Sequence, residues 1–262
     1  MSGPWNALLD IIEQVLRFFH SAVTPLFGPS AAWGWAIILL TIAVRVFLLP
    51  LAVKQTRSQR AMQRLQPEMK KIQTKYKAER GLMRTNPEKY REQRAKQQEA
   101  MMALYKEHNV NPAAGCLPLV AQMPIFFALF SVLRDTGRLP ELGEASFYFV
   151  RDLAATVTQV GAPAYLLVLL MGATTFVSSR QMMANTAAVG QQQAQQKMML
   201  YAMPLILVFF SLNLYIGVLL YWITTNVWTI AQQYVMFRGS GEQPPSGAAD
   251  ARARAARSAA RQ

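Results

Sequence analysis

Apolar and polar positions in this chain of 262 residues fall into long blocks. Residues 198–237 hold 40 consecutive positions without Asp, Glu, Lys or Arg. As helix at 1.5 Å per residue such a run is about 60 Å long, or two crossings of a hydrocarbon core about 30 Å thick. It predicts two spans, 198–214 and 216–237, turning near 213–217. Uncharged runs at 109–133 and 153–179 predict two more, at 111–134 and 163–180. A fifth, 33–53, is apolar except for Arg45. The pattern therefore predicts an all-α polytopic membrane protein with five transmembrane helices.

Between these blocks the periodicity is helical. Trp5, Leu8, Leu9, Ile12, Val15, Leu16 and Phe19 recur at spacings of three and four, with Asp10, Glu13 and Arg17 off the stripe. Residues 1–32 thus read as an amphipathic helix in the outer interface and a linker broken by Pro25, Gly28 and Pro29. Met62, Leu65, Met69, Ile72 and Tyr76 form a heptad seam, while Tyr90, Gln97, Met101, Leu104 and His108 line one side of a second helix. Gly81 weakens the first helix, and Thr85-Asn86-Pro87-Glu88 resembles a cap followed by proline at the first helical position. Residues 54–110 thus predict an antiparallel helical hairpin about 40 Å long, its thin Met-rich seam favouring mobility. Pro112, Gly115, Pro118 and Pro124 predict an irregular first half of the second span. Residues 135–162 form a connection with short helical pieces, 181–197 a loop with a glutamine-rich stretch at 191–196, and 238–262 a disordered tail.

Charge sets the orientation. Of the net charge of +13, residues 54–108 carry 15 Lys/Arg against 6 Asp/Glu, whereas 135–152 carry four acids and two Arg. Positive loops stay in the cytoplasm, which places the hairpin and the C-terminus inside and the N-terminus outside. Five crossings require that same parity. Cys116 is the single cysteine, so a disulfide framework or CxxC site is excluded, and no cleaved signal peptide is evident at the N-terminus.

Arg45 is the costly residue. A guanidinium keeps its proton and costs roughly 3 kcal/mol or more near the middle of hydrocarbon. No acidic residue lies in any predicted span, so an internal ion pair is excluded save with an acid at a membrane edge. Two solutions remain: a water-filled groove open to the cytoplasm, or ligation by carbonyls and snorkelling. Thr41 lies one turn before Arg45, Gln122 falls in the second span, and Tyr221, Thr225, Trp228 and Gln232 recur along the last, beside Asn226. Each has an alternative role: Ser and Thr bond their own helix carbonyls, and Gln122 and Asn226 can join helices.

Enzymatic chemistry finds little support. His20 and His108 are the two histidines, so no triad or metal cluster is credible. The spans lack Asp and Glu for an intramembrane protease or proton relay, and neither a GxGxxG nor a P-loop pattern occurs. No cofactor, metal or small-molecule substrate is expected.

Several motifs, in order, resemble the YidC/Oxa/Alb family of membrane protein insertases: Val44-Arg45-Val46-Phe47-Leu48-Leu49-Pro50, Leu65-Gln66-Pro67-Glu68, Met101-Met102-Ala103-Leu104-Tyr105-Lys106, Asn111-Pro112-Ala113-Ala114-Gly115-Cys116-Leu117-Pro118 and Gln122-Met123-Pro124-Ile125-Phe126. The end of the last span, from Thr225-Asn226 to Gln233, extends a match covering roughly 33–238, and the chain looks like the short bacterial form without the large extracytoplasmic domain. Many members have Gly-Gly where this chain has Ala113-Ala114-Gly115; one methyl should matter little. The resemblance implies a bacterial plasma membrane protein that is no enzyme. It would guide nascent membrane protein segments through a hydrophilic groove and release them laterally into lipid, alone or with the Sec translocon. It further implies that Arg45 is the groove arginine, with Thr41 beside it and Tyr221 and Trp222 at substrate-contacting positions. Lys54, Arg57, Arg60, Arg64, Lys70 and Lys71 on the hairpin and Arg252, Arg254, Arg257 and Arg261 in the tail would meet substrate, ribosome or anionic lipid. Two other classes compete: a transporter or channel with Arg45 as anion site, and a scaffold gathering ribosomes or lipid through its basic hairpin, since charge alone does not separate rRNA from head groups.

Overall fold

A computed structural model describes residues 3–76, 85–111, 117–135, 137–184 and 191–238 of the chain. Helix α1 (Pro4–Phe47) consists of two limbs joined at Gly28, whose φ of 78° and ψ of 161° interrupt the helix between Pro25 and Pro29. The turn is tied across its bend: His20 donates from Nε2 to the Pro29 carbonyl at 2.9 Å and stacks on Trp33 at 4.1 Å. The carbonyl can only accept, so Nε2 carries a proton. The first limb buries Leu9, Ile12 and Leu16 in the main core, and the second buries Trp33, Ala36, Ile37 and Leu40.

Helices α2 (Leu49–Arg64) and α3 (Gln66–Lys75) follow almost without a gap, each with a proline in its first turn. The first long apolar helix thus ends at Phe47, six residues before the end of the 33–53 segment. Helix α4 (Pro87–Glu107) begins at Asn86, whose side chain accepts from Lys89 N at 3.1 Å, the expected cap. Helices α3 and α4 pack on each other around Leu65, Met69, Leu104 and Tyr105, a small cluster separate from the main core. His108 Nε2 lies 3.5 Å from Glu68 Oε2 across this pair. Gly81 and the stretch holding Pro112, Gly115 and Cys116 lie outside the described residues.

Helix α5 (Leu117–Arg134) carries Pro124 in its interior. A short connection follows, with a 3-10 turn (Pro140–Leu142), strands β1 (Ser146–Phe147) and β2 (Val150–Arg151), and helix α6 (Val157–Val160). The strand pair departs from the all-helical expectation: two residues per strand are too few for alternation to announce them. Helices α7 (Ala162–Ala184), α8 (Gln191–Ser211) and α9 (Ile216–Arg238) complete the fold. The glutamine-rich stretch 191–196, expected as loop, is the first turns of α8. Glutamine is a good helix former, and nothing between it and the apolar run breaks the helix.

Helix α9 is central, packing against α1, α5 and α7, while α7 also packs against α8. Close approach needs small residues: a Cβ on Gly217 would lie 3.1 Å from both Ile37 Cδ1 and Leu133 Cδ1, and one on Gly172 would lie 2.9 Å from Val208 Cγ2. Ile216 N and Gly217 N donate to the carbonyls of Ala155 and Leu153, so the α8–α9 turn is stitched to the connection before α6. Large apolar side chains cover the outside of α7 and α8, among them Leu166, Leu169, Leu205, Phe209 and Phe210. Among the described residues two helices, α1 and α7, are long and apolar enough to cross a membrane; the apolar stretches Val120–Arg134 and Leu200–Ser211 are shorter.

Candidate functional site

Helices α1, α5 and α9 bring polar side chains together inside the bundle. Arg45, near the end of α1, is partly exposed, but its Nε is buried and makes no hydrogen bond. No acidic residue forms a salt bridge with it among the described residues. Tyr221, from α9, is buried close beside it. Gln122, from α5, donates from Nε2 to the Tyr221 hydroxyl. Phe126, one turn beyond Gln122, packs on Trp222 edge-to-face at 5.6 Å and on Tyr221 at 6.1 Å, holding α5 against α9.

The other expected members divide. Thr225 faces the same cluster with its Oγ1 buried and outside hydrogen-bond geometry, and Gln181 Oε1 and Gln233 Oε1 are likewise buried without a partner. Buried polar atoms left like this cost on the order of 1–3 kcal/mol each unless water reaches them. Thr41 is buried and donates its hydroxyl to Ile37 O at 2.7 Å, so it is satisfied by its own helix. Asn226 points between helices, donating from Nδ2 to Thr175 Oγ1 at 2.8 Å and Thr174 Oγ1 at 3.3 Å. Gln232 accepts from Trp228 Nε1 at 2.8 Å along α9. The structure thus gathers Arg45, Gln122, Tyr221, Trp222 and Thr225, whereas the polar groups of Thr41, Asn226 and Gln232 are engaged within or between helices.

On the basic hairpin, Lys54, Arg57, Arg64, Lys70 and Lys71 are exposed along α2 and α3. Arg60 is turned inward: its Nη2 donates to the Met236 carbonyl and its guanidinium lies over the Phe237 ring, 5.3 Å from the centroid. Thr56, one turn earlier, donates to Met236 Sδ at 3.2 Å. A cation on the last carbonyls of a helix also opposes the negative end of its dipole. Sequence reasoning missed this contact because its partners are 176 positions apart and nothing local in α2 announces them. Arg252, Arg254, Arg257 and Arg261 lie outside the described residues.

A second polar network lies at the other end of the bundle. Arg138 Nη1 pairs with Asp10 at 2.8 Å and Glu13 at 3.2 Å, while Arg17 pairs with Glu13 and Glu141 and donates to the Arg138 carbonyl at 2.7 Å. The charged face of the first limb is thereby fastened to the connection between α5 and α7. Among the described residues no group of three or more His, Cys, Asp or Glu could hold a metal ion.

Apolar helix exteriors around a polar interior cluster define a helical membrane protein with a polar site inside its bundle. The chain belongs to the family described as "60Kd inner membrane protein", whose model matches residues 24–243. It is 37% identical over 258 residues to the membrane protein insertase YidC of Streptomyces avermitilis, covering 87% of this chain and 57% of that protein. It is 36% identical to the membrane protein insertase YidC 2 of Bacillus anthracis, covering 90% of this chain and 82% of the relative. It is 38% identical to the membrane protein insertase MisCA of Bacillus subtilis, covering 78% and 70%. A solved structure, "Active YidC insertase crystal structure with the first transmembrane domain resolved", is similar at a TM-score of 0.61 and 30% identity, covering 86% of this chain and 46% of that one. The chain thus spans about half the length of that solved protein and of the Streptomyces relative.

Proposed function

We propose that the chain is a membrane protein insertase in the bacterial plasma membrane, with five crossings, the N-terminus outside and the C-terminus inside. Nascent membrane proteins are its clients, alone or with the Sec translocon, and it works without a cofactor. The observation that carries the reading is that four of the seven buried side-chain polar atoms without a hydrogen bond among the described residues, Arg45 Nε, Thr225 Oγ1, Gln181 Oε1 and Gln233 Oε1, lie on α1, α7 and α9. Burying such atoms in a dry bundle is expensive, whereas water entering from the cytoplasm satisfies them and hydrates the guanidinium. The family membership and the insertase names of the relatives support the same reading.

The mechanism follows from where the charge sits. A client segment must carry a polar or acidic flank into the bilayer, and a wet groove shortens the dry distance. Arg45 attracts that flank, while Gln122, Tyr221 and Thr225 offer it hydrogen bonds. The apolar segment then slides past Trp222 and Phe126 into lipid, driven by about 25 cal/mol per Å² of buried apolar surface. The exposed cations of α2 and α3, together with the tail arginines, meet the ribosome or anionic lipid before transfer.

Arg45→Cys, made in a Cys116→Ser background, tests the groove. A membrane-impermeant thiol reagent should label it from the cytoplasmic side alone. Labelling from the outer side, or from neither, would overturn a cytoplasm-open groove.

A further inference from the structure

The turn joining β1 to β2 places two largely exposed aromatic rings at the rim of the bundle, Tyr148 resting edge-on against Phe147 at 4.8 Å. Tyr148 is 67% exposed and Phe149 51%, and Tyr148 has a φ of 55°, a left-handed conformation that an aromatic residue rarely adopts. Positive φ at the first central residue of a two-residue hairpin favours glycine. This turn holds strain and shows its rings to solvent at once, a combination that suits a functional tip better than a passive loop.

Everything beneath the tip fixes its position. Phe147 occupies the space that a Cβ on Gly34 would need and meets Trp35 edge-on at 5.9 Å. Trp35 in turn stacks on Phe27 at 4.7 Å. Ser146 N donates to Ser30 Oγ at 2.8 Å, and the two serine hydroxyls lie 2.8 Å apart. The hairpin is therefore fastened to the first turns after the Gly28 bend, at Gly34 and Trp35, the start of the first crossing. On the α1 side Phe27, stacked on Trp35, continues this apolar surface, and its neighbour in sequence Leu26 is 77% exposed.

We infer that the tip of residues 147–149, with Leu26 and Phe27, is an anchor seated in the lipid interface at the start of the first span. The occupant is bilayer for two reasons. Its attachment at Gly34 and Trp35 sets its depth at the edge of the hydrocarbon core, and amphipathic rings such as Tyr148 are favoured where one end is apolar and the other wet. Its apolar surface also runs on into that of α1.

The inference rests on α1 crossing the membrane but not on insertase activity, and the test separates the two. Single cysteines, Tyr148→Cys and Phe149→Cys, and the control Leu169→Cys on the outer face of α7, are labelled with an environment-sensitive fluorophore in a Cys116→Ser background. The full chain is then placed in phosphatidylcholine/phosphatidylglycerol vesicles. Labels at 148 and 149 should shift to the blue and be quenched more by spin labels near the lipid glycerol than by labels deep in the chains, with aqueous iodide nearly without effect. The label at 169 should be quenched best by the deep labels. Water-like emission and strong iodide quenching at 148 and 149, with 169 in lipid, would overturn the anchor alone. Protection from both iodide and lipid labels would assign the tip to a protein contact and equally overturn it. Water-like emission at 169 would instead defeat the membrane reading.

Discussion

Asn226 of α9 donates from Nδ2 to Thr175 Oγ1 of α7 at 2.8 Å, inside the bundle and away from water. The bond joins the helix that supplies most of the polar cluster to the one carrying the exposed apolar exterior. Asn226 therefore acts on the site through the placement of α9.

Replacing either partner should loosen that helix pair. Interhelical hydrogen bonds in membranes contribute about 0.6 kcal/mol on average and up to about 1.7. Asn226→Ala and Thr175→Val are each expected to destabilise the protein by about 1 kcal/mol, and the double variant by less than the sum. Unfolding in mixed micelles measures the cycle, and strict additivity would contradict the bond.

Arg60 should govern the junction between the basic hairpin and the end of α9. Its contacts with Met236 and Phe237 need both a donor and a flat cation. In Arg60→Ala the distance distribution between spin labels on α2 and the end of α9 is expected to broaden, and Arg60→Lys should recover part of the order. An unchanged distribution in Arg60→Ala would show that α2 is held by other contacts.

At the opposite end, the Glu141 carboxyl is held below its ordinary value, by its own backbone amide first and then by Arg17. A carboxyl depressed on folding stabilises above its unfolded value of about 4.5 and loses that contribution as pH falls through the folded value. Glu141 is largely solvated, so screening keeps the effect below about 1 kcal/mol. Melting curves should show wild type losing more stability than Glu141→Gln between about pH 5 and pH 3. Parallel loss in both would show that the Arg17–Glu141 pair contributes nothing to stability.

Gly34 tests the tight seat of β1 on α1. A Cβ there would enter the Phe147 ring, so Gly34→Ala must push the hairpin away. Overpacking of this kind costs about 1–3 kcal/mol. A variant as stable as wild type would mean that the hairpin can lift without loss.

Much of this arrangement was legible because its causes are local. Pro25, Gly28 and Pro29 mark the bend, Asn86 and Pro87 the start of α4, and Met62 to Ile72 the hairpin seam, each acting through its neighbours in sequence. The polar content of the last span was equally plain. What stayed hidden depended on partners far away. A polar side chain in a helix can bond its own carbonyl, bond another helix or stay buried without a hydrogen bond, and Thr41, Asn226 and Thr225 take one of each course, which no spacing distinguishes. Arg60 read as one more solvated cation of the hairpin because Met236 and Phe237 reach it only through the fold. The β1–β2 pair was too short for a period, and the glutamines of α8 read as loop because polarity was weighed above helix propensity.

On the proposed mechanism, the positive charge of Arg45, held in a wet interior, draws client segments into the membrane. Insertion of a single-span substrate with an acidic N-terminal tail into vesicles containing the purified protein tests it most directly, comparing wild type with Arg45→Ala and Arg45→Lys. Arg45→Ala should insert markedly less, and Arg45→Lys should retain more of the activity. Equal insertion by all three would contradict the claim.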